Sequence, residues 1–181
     1  MTTYISMLRG INVGGHKKIK MDALRLMFTE MGFENVQSYI QSGNIIFRAN
    51  RTDSIWLSNS ISKQILSTFG FDVQAVIITV NELEEILTNN EFSLDPEKNP
   101  ENSYYIFLQA KPDQSLLKNI VPAEYTPDQF SFGDKVIYVY CASGYGNTKL
   151  TNLFFEKKLK IFATARNHST TTKLLTLAKE L

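Results

Sequence analysis

Residues 35–48, with the sequence NVQSYIQSGNIIFR, decide the fold. The runs 35–41 and 44–48 are typical of strands, and the four residues Gln41-Ser42-Gly43-Asn44 between them favour a turn, so the segment predicts a hairpin. Further elements are predicted outward on both sides of this hairpin: a strand at 4–8, a helix at 21–31, a helix at 55–69 and a strand at 73–80. This order, β-α-β-β-α-β, is that of the ferredoxin-like split βαβ unit.

The same order is predicted again in the second half of the chain, after a helix at 81–89 and a polar bridge at 91–102. Its elements are a strand at 104–108, a helix at 113–120, strands at 130–132 and 135–141, a helix at 147–158, a strand at 161–165 and a helix at 169–180. A shift of 91 residues places Asn44 on Lys135 and Thr79 on Thr170, which indicates an internal duplication. We predict an α+β fold of two tandem ferredoxin-like (alpha-beta plait) subdomains with antiparallel sheets, at 1–90 and 91–181. A single larger α+β sheet has nearly the same order and stays the alternative.

The composition is that of a folded protein. The chain has 181 residues, of which 43% are hydrophobic, and 12 Phe and 8 Tyr at a net charge of +1 exclude disorder. Its apolar stretches are far shorter than the ~20 residues that a bilayer needs, so no membrane partner is predicted. The single cysteine, Cys141, and the absence of an export signal at the first residues predict a cytoplasmic location. His16, His168 and Cys141 lack metal-ligand spacing, so neither a metal nor another cofactor is predicted.

Charge is distributed unevenly along the chain. Residues 1–20 carry a net charge of +4, residues 81–102 a net charge of −6 and residues 141–181 a net charge of +5. If the fold brings both basic ends together, they create a positive field that the balanced total conceals. Lysines scattered over solvated surfaces are the simpler interpretation, especially for Lys157, Lys158 and Lys160.

The first candidate binding segment is RGINVGGHKK at 9–18, between a predicted strand and a predicted helix. Its three glycines allow sharp turns and close approach of backbone N–H groups to a ligand. Arg9, Lys17 and Lys18 supply positive charge, and Asn12 supplies an amide. The segment is not a Walker A loop, because His16 stands at the lysine position of that motif. A glycine turn with exposed lysines and no ligand is the alternative.

The second candidate segment is the hairpin turn at 39–44, where Gln41, Ser42 and Asn44 place amide and hydroxyl groups around one glycine. In a plait, we expect this turn and the loop after the first strand to lie at opposite ends of neighbouring strands or at nearby edges. The sequence does not show that they meet. A hairpin turn without a function is the alternative.

Two further segments join a strand to a helix in the second half. In 143–150, Asn147 or Thr148 is the expected N-cap of the helix, and Lys149 in its first turn opposes the helix dipole unless an anion lies beside it. In 164–169, Ser169 is the expected cap, and Arg166 and Asn167 offer guanidinium and amide contacts to phosphate or carboxylate. An ordinary salt bridge of Arg166 is the alternative.

These segments give the chain a resemblance to DUF1697, a bacterial family of unknown function. The matching stretches are LRGINVGGHKKIKM at 8–21, YIQSGN at 39–44, GYGNTKL at 144–150 and ATARN at 163–167. The resemblance covers essentially the whole chain and implies two tandem ferredoxin-like plaits, with no activity established for the family. The chain departs from the family pattern at Thr148, where Ser is usual, and at His168, where Trp is usual.

The functional hypothesis is a binding protein rather than an enzyme. We expect an anionic ligand (a nucleotide, phosphate or single-stranded RNA) on a basic, glycine-rich surface between the two halves, and hence that the two basic segments converge. An enzyme acting on a small phosphorylated or carboxylated metabolite is the first alternative, oriented by Asn12, Gln41, Asn44 and Asn167. Its weakness is that only His16 and His168 titrate near neutrality, neither with a partner evident in the sequence. An interaction scaffold without a ligand is the second alternative.

Overall fold

The structure is a computed structural model that describes residues 1–51 and 53–181. Contacts between Cα atoms divide it into two compact units. Unit 1 comprises Met1–Leu83 and Leu174–Leu181, and unit 2 comprises Glu84–Lys173. The division therefore lies seven residues before the boundary predicted after residue 90, and the last eight residues belong to unit 1.

Unit 1 is a four-stranded antiparallel sheet with two helices packed on one face. Its elements are β1 (Thr2–Leu8), α1 (Met21–Glu30), β2 (Glu34–Tyr39), β3 (Asn44–Ala49), α2 (Ser54–Phe69) and β4 (Ala75–Thr79). The strand order is β2-β3-β1-β4, so the predicted hairpin is present and β1 lies at the centre of the sheet, between β3 and β4. Leu24 and Phe28 of α1 pack with Phe47 of β3 and Ile61 of α2 in one core.

Helix α2 shows why these residues form this unit. The Asp53 side chain caps its first turn by accepting hydrogen bonds from the N–H groups of Ile55 and Trp56, both at 3.0 Å. Leu57, Ile61 and Ile65 recur at helical spacing and are fully buried against the sheet. Each contributes about 1.5–3 kcal/mol by burial, which fixes the helix on that face.

Unit 2 contains the second four-stranded antiparallel sheet. The remaining elements of the chain are α3 (Val80–Thr88), α4 (Glu91–Leu94), β5 (Ser103–Leu108), α5 (Gln114–Leu117), β6 (Gln129–Phe132), β7 (Val136–Tyr140), α6 (Asn152–Leu159), β8 (Ala163–Asn167) and α7 (His168–Lys179). The strand order of this second sheet is β6-β7-β5-β8. Helix α3 spans the division between the units, and α7 begins in unit 2 and ends in unit 1. The described residues thus form a mixed α+β fold with two antiparallel sheets and seven α-helices.

Each sheet has its own backbone hydrogen bond at the equivalent place, the end of β1 in unit 1 and the end of β5 in unit 2. The N–H of Leu8 donates to the carbonyl of Gly43, and the N–H of Leu108 donates to the carbonyl of Lys135, both at 2.9 Å. Gly43 therefore corresponds to Lys135, one residue away from the predicted alignment of Asn44 with Lys135. The alignment of Thr79 with Thr170 is also wrong, because Thr79 pairs with Tyr4 whereas Asn167 pairs with Tyr104.

Several boundaries in unit 2 differ from the sequence prediction. The helix predicted at 147–158 begins only at Asn152, because Thr151 caps it by accepting from the N–H of Phe154 at 3.2 Å. Residues 145–147 form a separate 3₁₀ turn. The helix predicted at 113–120 is the single turn α5, and the strand predicted at 161–165 lies two residues later, as β8.

None of the helices in the described part of the chain, 1–51 and 53–181, combines the length and hydropathy required to cross a bilayer.

Candidate functional site

The loop after β1 and the turn before β3 lie side by side in unit 1. Since β1 and β3 are antiparallel, the carboxyl end of one adjoins the amino end of the other, with Met7 paired to Asn44. The N–H of Leu8 donates to Gly43, and Nδ2 of Asn12 donates to the carbonyl of Gln41 at 2.9 Å. Of the two arrangements expected for these segments, the one at opposite ends of neighbouring strands is wrong, since the pairing of Met7 with Asn44 places them at the same end of the sheet. We call residues 9–20 and 39–44 together the glycine corner.

Asn12 connects the parts of the corner. Its Oδ1 accepts from the N–H of Ile19 at 2.9 Å, and its Nδ2 donates to the Ile19 carbonyl at 3.0 Å as well as to Gln41. The side chain closes the loop like an additional backbone pair and ties it to the turn. Its amide thus holds the loop and the turn in position.

The loop tip is a tight turn with exposed side chains. The N–H of His16 donates to the Val13 carbonyl at 3.0 Å, across Gly14 and Gly15, whose φ angles are +58° and +80°. Two consecutive positive φ angles favour glycine over any other residue. The turn leaves Val13 62% exposed and His16 and Lys18 in solvent.

Backbone strain is concentrated in the corner. Asn12, Lys17 and Ile40 have φ angles of +54°, +45° and +52°. For Ile40 this is a marked outlier, because a β-branched side chain disfavours the left-handed region. Ile40 is also 49% exposed.

A depression of about 360 Å³, open to solvent, lies in the corner beside the start of α1. Its lining residues are Lys20, Met21, Asp22, Arg25, Ser38, Ile40 and Gln41. Nη1 of Arg25 donates to the Ser38 hydroxyl, and its Nη2 pairs with Asp22. Lys20, at the N-cap of α1, is exposed and makes no side-chain capping hydrogen bond.

Of the other predicted residues of unit 1, Gln41 lines this depression, whereas Arg9, Lys17, Lys18 and Asn44 are not among its lining residues. Nζ of Lys17 donates to the carbonyl of Asp72, so this lysine supports the loop. Asn44 is fully buried, and its Nδ2 donates to the Tyr39 carbonyl at 3.2 Å and to the Ser42 hydroxyl at 3.0 Å. Arg9 is half-buried. Gln41 and Lys18 are exposed and accessible to a ligand.

In unit 2, Thr148 belongs to a hydrogen-bonded loop. Its hydroxyl donates to Oδ2 of Asp128 at 2.5 Å and accepts from the N–H of Leu150, while Oδ1 of Asp128 accepts from the N–H of Ala142. Neither Asn147 nor Thr148 is the N-cap of α6. Lys149 lies before Thr151 rather than in the first helical turn, so the argument that it opposes the helix dipole is wrong.

Arg166 and Asn167 end strand β8. Arg166 is only 9% exposed, and it donates to the Thr164 hydroxyl at 2.8 Å and the Ala165 carbonyl at 2.7 Å. Burial lowers the pKa of its guanidinium to about 10. Asn167, not Ser169, caps α7, because its Oδ1 accepts from the N–H of Thr170 at 2.8 Å.

Comparison with models of known protein families shows the family to which this chain belongs. The family model described as "Protein of unknown function (DUF1697)" matches residues 1–138. The chain belongs to the DUF1697 family. The match includes the whole glycine corner, whereas Thr148, Lys149, Arg166 and Asn167 lie beyond it.

A solved structure is similar to this DUF1697 chain along its length. The conserved bacterial protein SP0830 from Streptococcus pneumoniae is 23% identical, with 98% of each chain covered and a TM-score of 0.75. At that identity the likeness shows the fold alone. No curated protein matches the chain.

The sequence of this DUF1697 chain did not indicate Asp128 and Tyr105, which are the hydrogen-bond partners of Thr148 and His168. The Tyr105 hydroxyl lies 2.9 Å from Nδ1 of His168, and burial lowers the pKa of His168. Both partners are far away along the chain, so no local pattern indicates them. Lys20 and Ile40, which line the depression, lie within the sequence motifs at 8–21 and 39–44, where Lys20 is a basic residue and Ile40 an apolar residue beside the turn glycine.

Proposed function

We propose that this DUF1697 protein binds an anionic, phosphate-bearing ligand at the glycine corner of unit 1. The observation that carries the proposal is the meeting of the loop and the turn around one depression lined by Lys20 and Gln41. The loop carries glycines and basic side chains, the turn carries amide and hydroxyl side chains around one glycine, and the two segments are about twenty residues apart in the sequence.

The charges of the corner support an anion. Residues 1–20 contain four basic residues and no acid. Lys18 and Lys20 are both exposed, so a phosphate replaces only water around them. The Asp22 carboxylate also lines the depression, but it is paired with Arg25, which limits its repulsion.

We also propose how the two units are related to each other in evolution. We infer two ferredoxin-like repeats that arose by internal duplication, in a cytoplasmic protein. The common strand order and the matching hydrogen bonds of Leu8 and Leu108 support the repeats. Ligand contacts by Thr148, Lys149, Arg166 and Asn167, and convergence of the two basic segments, stay predictions.

The test is titration with inorganic tripolyphosphate at low ionic strength, followed by calorimetry. The double variant Lys18→Ala/Lys20→Ala is expected to bind about tenfold more weakly, which equals about 1.4 kcal/mol. Lys63→Ala is the matched control, because Lys63 is an exposed lysine on α2 of the same unit. The proposal fails if the double variant binds as tightly as the unchanged protein.

A further inference from the structure

The depression in the glycine corner has an apolar wall as well as a charged one. Met21 and Ile40 form the apolar part, and the polar part consists of Lys20, Ser38, Gln41 and the ion pair of Asp22 with Arg25. We propose that it takes one nucleotide, either free or within a single strand, with the phosphate at Lys20 and the base against Ile40. This inference rests on the proposed function and names the ligand class of the same site.

The exposure and strain of Ile40 point to a base. The Ile40 side chain is 49% exposed and lines the depression, and its left-handed backbone at φ +52° is costly for isoleucine. Strained residues of this kind cluster at active sites and ligand clamps, where the surrounding structure holds them in place. A nucleobase offers the flat apolar face that such a side chain covers.

Gln41 supplies the polar recognition that a base edge requires. It is exposed at the rim of the depression, while the Asn12 hydrogen bond to its carbonyl holds its backbone in place. A side-chain amide offers both donors and an acceptor, which suits the edge of an unpaired base.

The shape also favours a nucleotide over a broad surface. A volume of about 360 Å³ lies at the lower end of the range of small-ligand sites, and the depression is concave. A membrane surface contacts protruding side chains rather than a concave site. We therefore treat lipid binding as an outcome of the test.

The experiment compares four probes on the whole protein by amide NMR and fluorescence anisotropy. The probes are uridine monophosphate, a hexauridylate strand, a hexameric abasic strand with the same number of phosphates as hexauridylate, and vesicles of anionic phospholipid. We expect hexauridylate to bind at least tenfold more tightly than the abasic strand, and uridine monophosphate to shift the amide resonances of residues 40 and 41.

The decisive variant is Ile40→Asn, because asparagine accepts the left-handed backbone. It should reduce the advantage of hexauridylate over the abasic strand at least fivefold and leave abasic binding unchanged. Val121→Ser is the control, since Val121 is an exposed valine of unit 2.

The possible results separate the two proposals. Equal affinity for hexauridylate and the abasic strand would overturn the nucleotide inference, while binding of the abasic strand and tripolyphosphate would keep the proposed function. Loss of all these ligands would refute both. Binding of anionic vesicles that depends on Ile40, without nucleotide binding, would also overturn the inference. Tighter binding of hexauridylate than of the monophosphate would identify a strand as the source, and equal binding would identify the free nucleotide.

Discussion

At Gly43 the turn before β3 approaches the loop after β1 so closely that no side chain fits. A Cβ atom there would lie 2.8 Å from both Leu8 Cβ and Ile11 Cδ1, and the φ angle is +76°. Gly43 therefore allows the two halves of the glycine corner to touch. This requirement is invisible in the sequence, where Gly43 is simply the glycine of a hairpin turn.

Gly43→Ala is expected to lower the free energy of unfolding by about 3 kcal/mol, because it adds a clash with side chains to the left-handed backbone. Gly32→Ala is the control, with a φ angle of +84° and nothing within 4 Å of the added atom. It should cost only about 1 kcal/mol. Urea denaturation measures both, and equal losses would contradict the close approach.

Ile40→Asn is expected to leave the free energy of unfolding unchanged or to raise it by up to about 1 kcal/mol. Relief of the left-handed strain offsets the loss of partial apolar burial. Ile40→Val, which keeps the β-branch and the strain, should show no gain. A loss of 2 kcal/mol or more in Ile40→Asn would show that Ile40 serves the fold.

Burial of Tyr138 predicts that the protein loses stability at alkaline pH. Burial, with repulsion from Tyr105 second, raises the pKa of Tyr138 to about 12 from an ordinary value of 10.0. The unfolded chain then loses this proton at lower pH than the folded protein does, so the stabilisation is complete below pH 10 and is lost as the pH rises to 12. The loss should be about 2 kcal/mol, and urea denaturation of Tyr138→Phe should show a correspondingly flatter pH profile.

At the scale of elements, the sequence predicted those helices and hairpins whose stabilising residues are neighbours along the chain. The hairpin at 35–48 and helix α2 follow from turn residues, apolar spacing and a cap that are all adjacent in sequence. The predicted start of α6 is wrong because Thr151, rather than Asn147 or Thr148, accepts a hydrogen bond from the first turn of the helix, from the N–H of Phe154. The Thr148 hydroxyl accepts from the N–H of Leu150 and donates to Asp128, twenty residues earlier, so it belongs to the loop before the helix. Asp128 is brought there by tertiary structure, so no local pattern indicates it.

The N-cap of α7 is Asn167 in the structure, whereas the sequence predicted Ser169. Asn167→Ala removes the acceptor for the Thr170 N–H and should cost about 1 kcal/mol. Ser169→Ala should change the free energy of unfolding by less than about 0.5 kcal/mol, since it lies within the exposed first turn of the helix. Thermal or urea unfolding of the two variants compares them directly, and the reverse order would restore Ser169 as the cap.

At the scale of the whole molecule, sheet order rather than motif chemistry creates the candidate site. The sequence motifs nominated the loop at 9–18 and the turn at 39–44 separately. Only the placement of β1 beside β3 brings Asn12 to Gln41. The pairing of strands distant in sequence depends on packing of the whole sheet, which motif reading does not supply.

Binding of a single strand should depend on salt in proportion to its few phosphate contacts. With about two contacts, from Lys18 and Lys20, the logarithm of affinity should fall with the logarithm of salt concentration at a slope of about −1.4. Anisotropy titrations at salt concentrations between about 50 and about 200 mM measure this slope. Lys18→Ala should make it shallower by about 0.7. A slope near zero would exclude phosphate contacts.

The central claim, that the glycine corner is the binding site, is tested most directly by mapping amide NMR shifts during titration with inorganic tripolyphosphate. The account predicts that the largest shifts fall on residues 12–20 and 39–43 and saturate together, and that they disappear in Lys18→Ala/Lys20→Ala. Saturable shifts confined to residues 143–150 or to other parts of unit 2, with the corner unchanged, would contradict it.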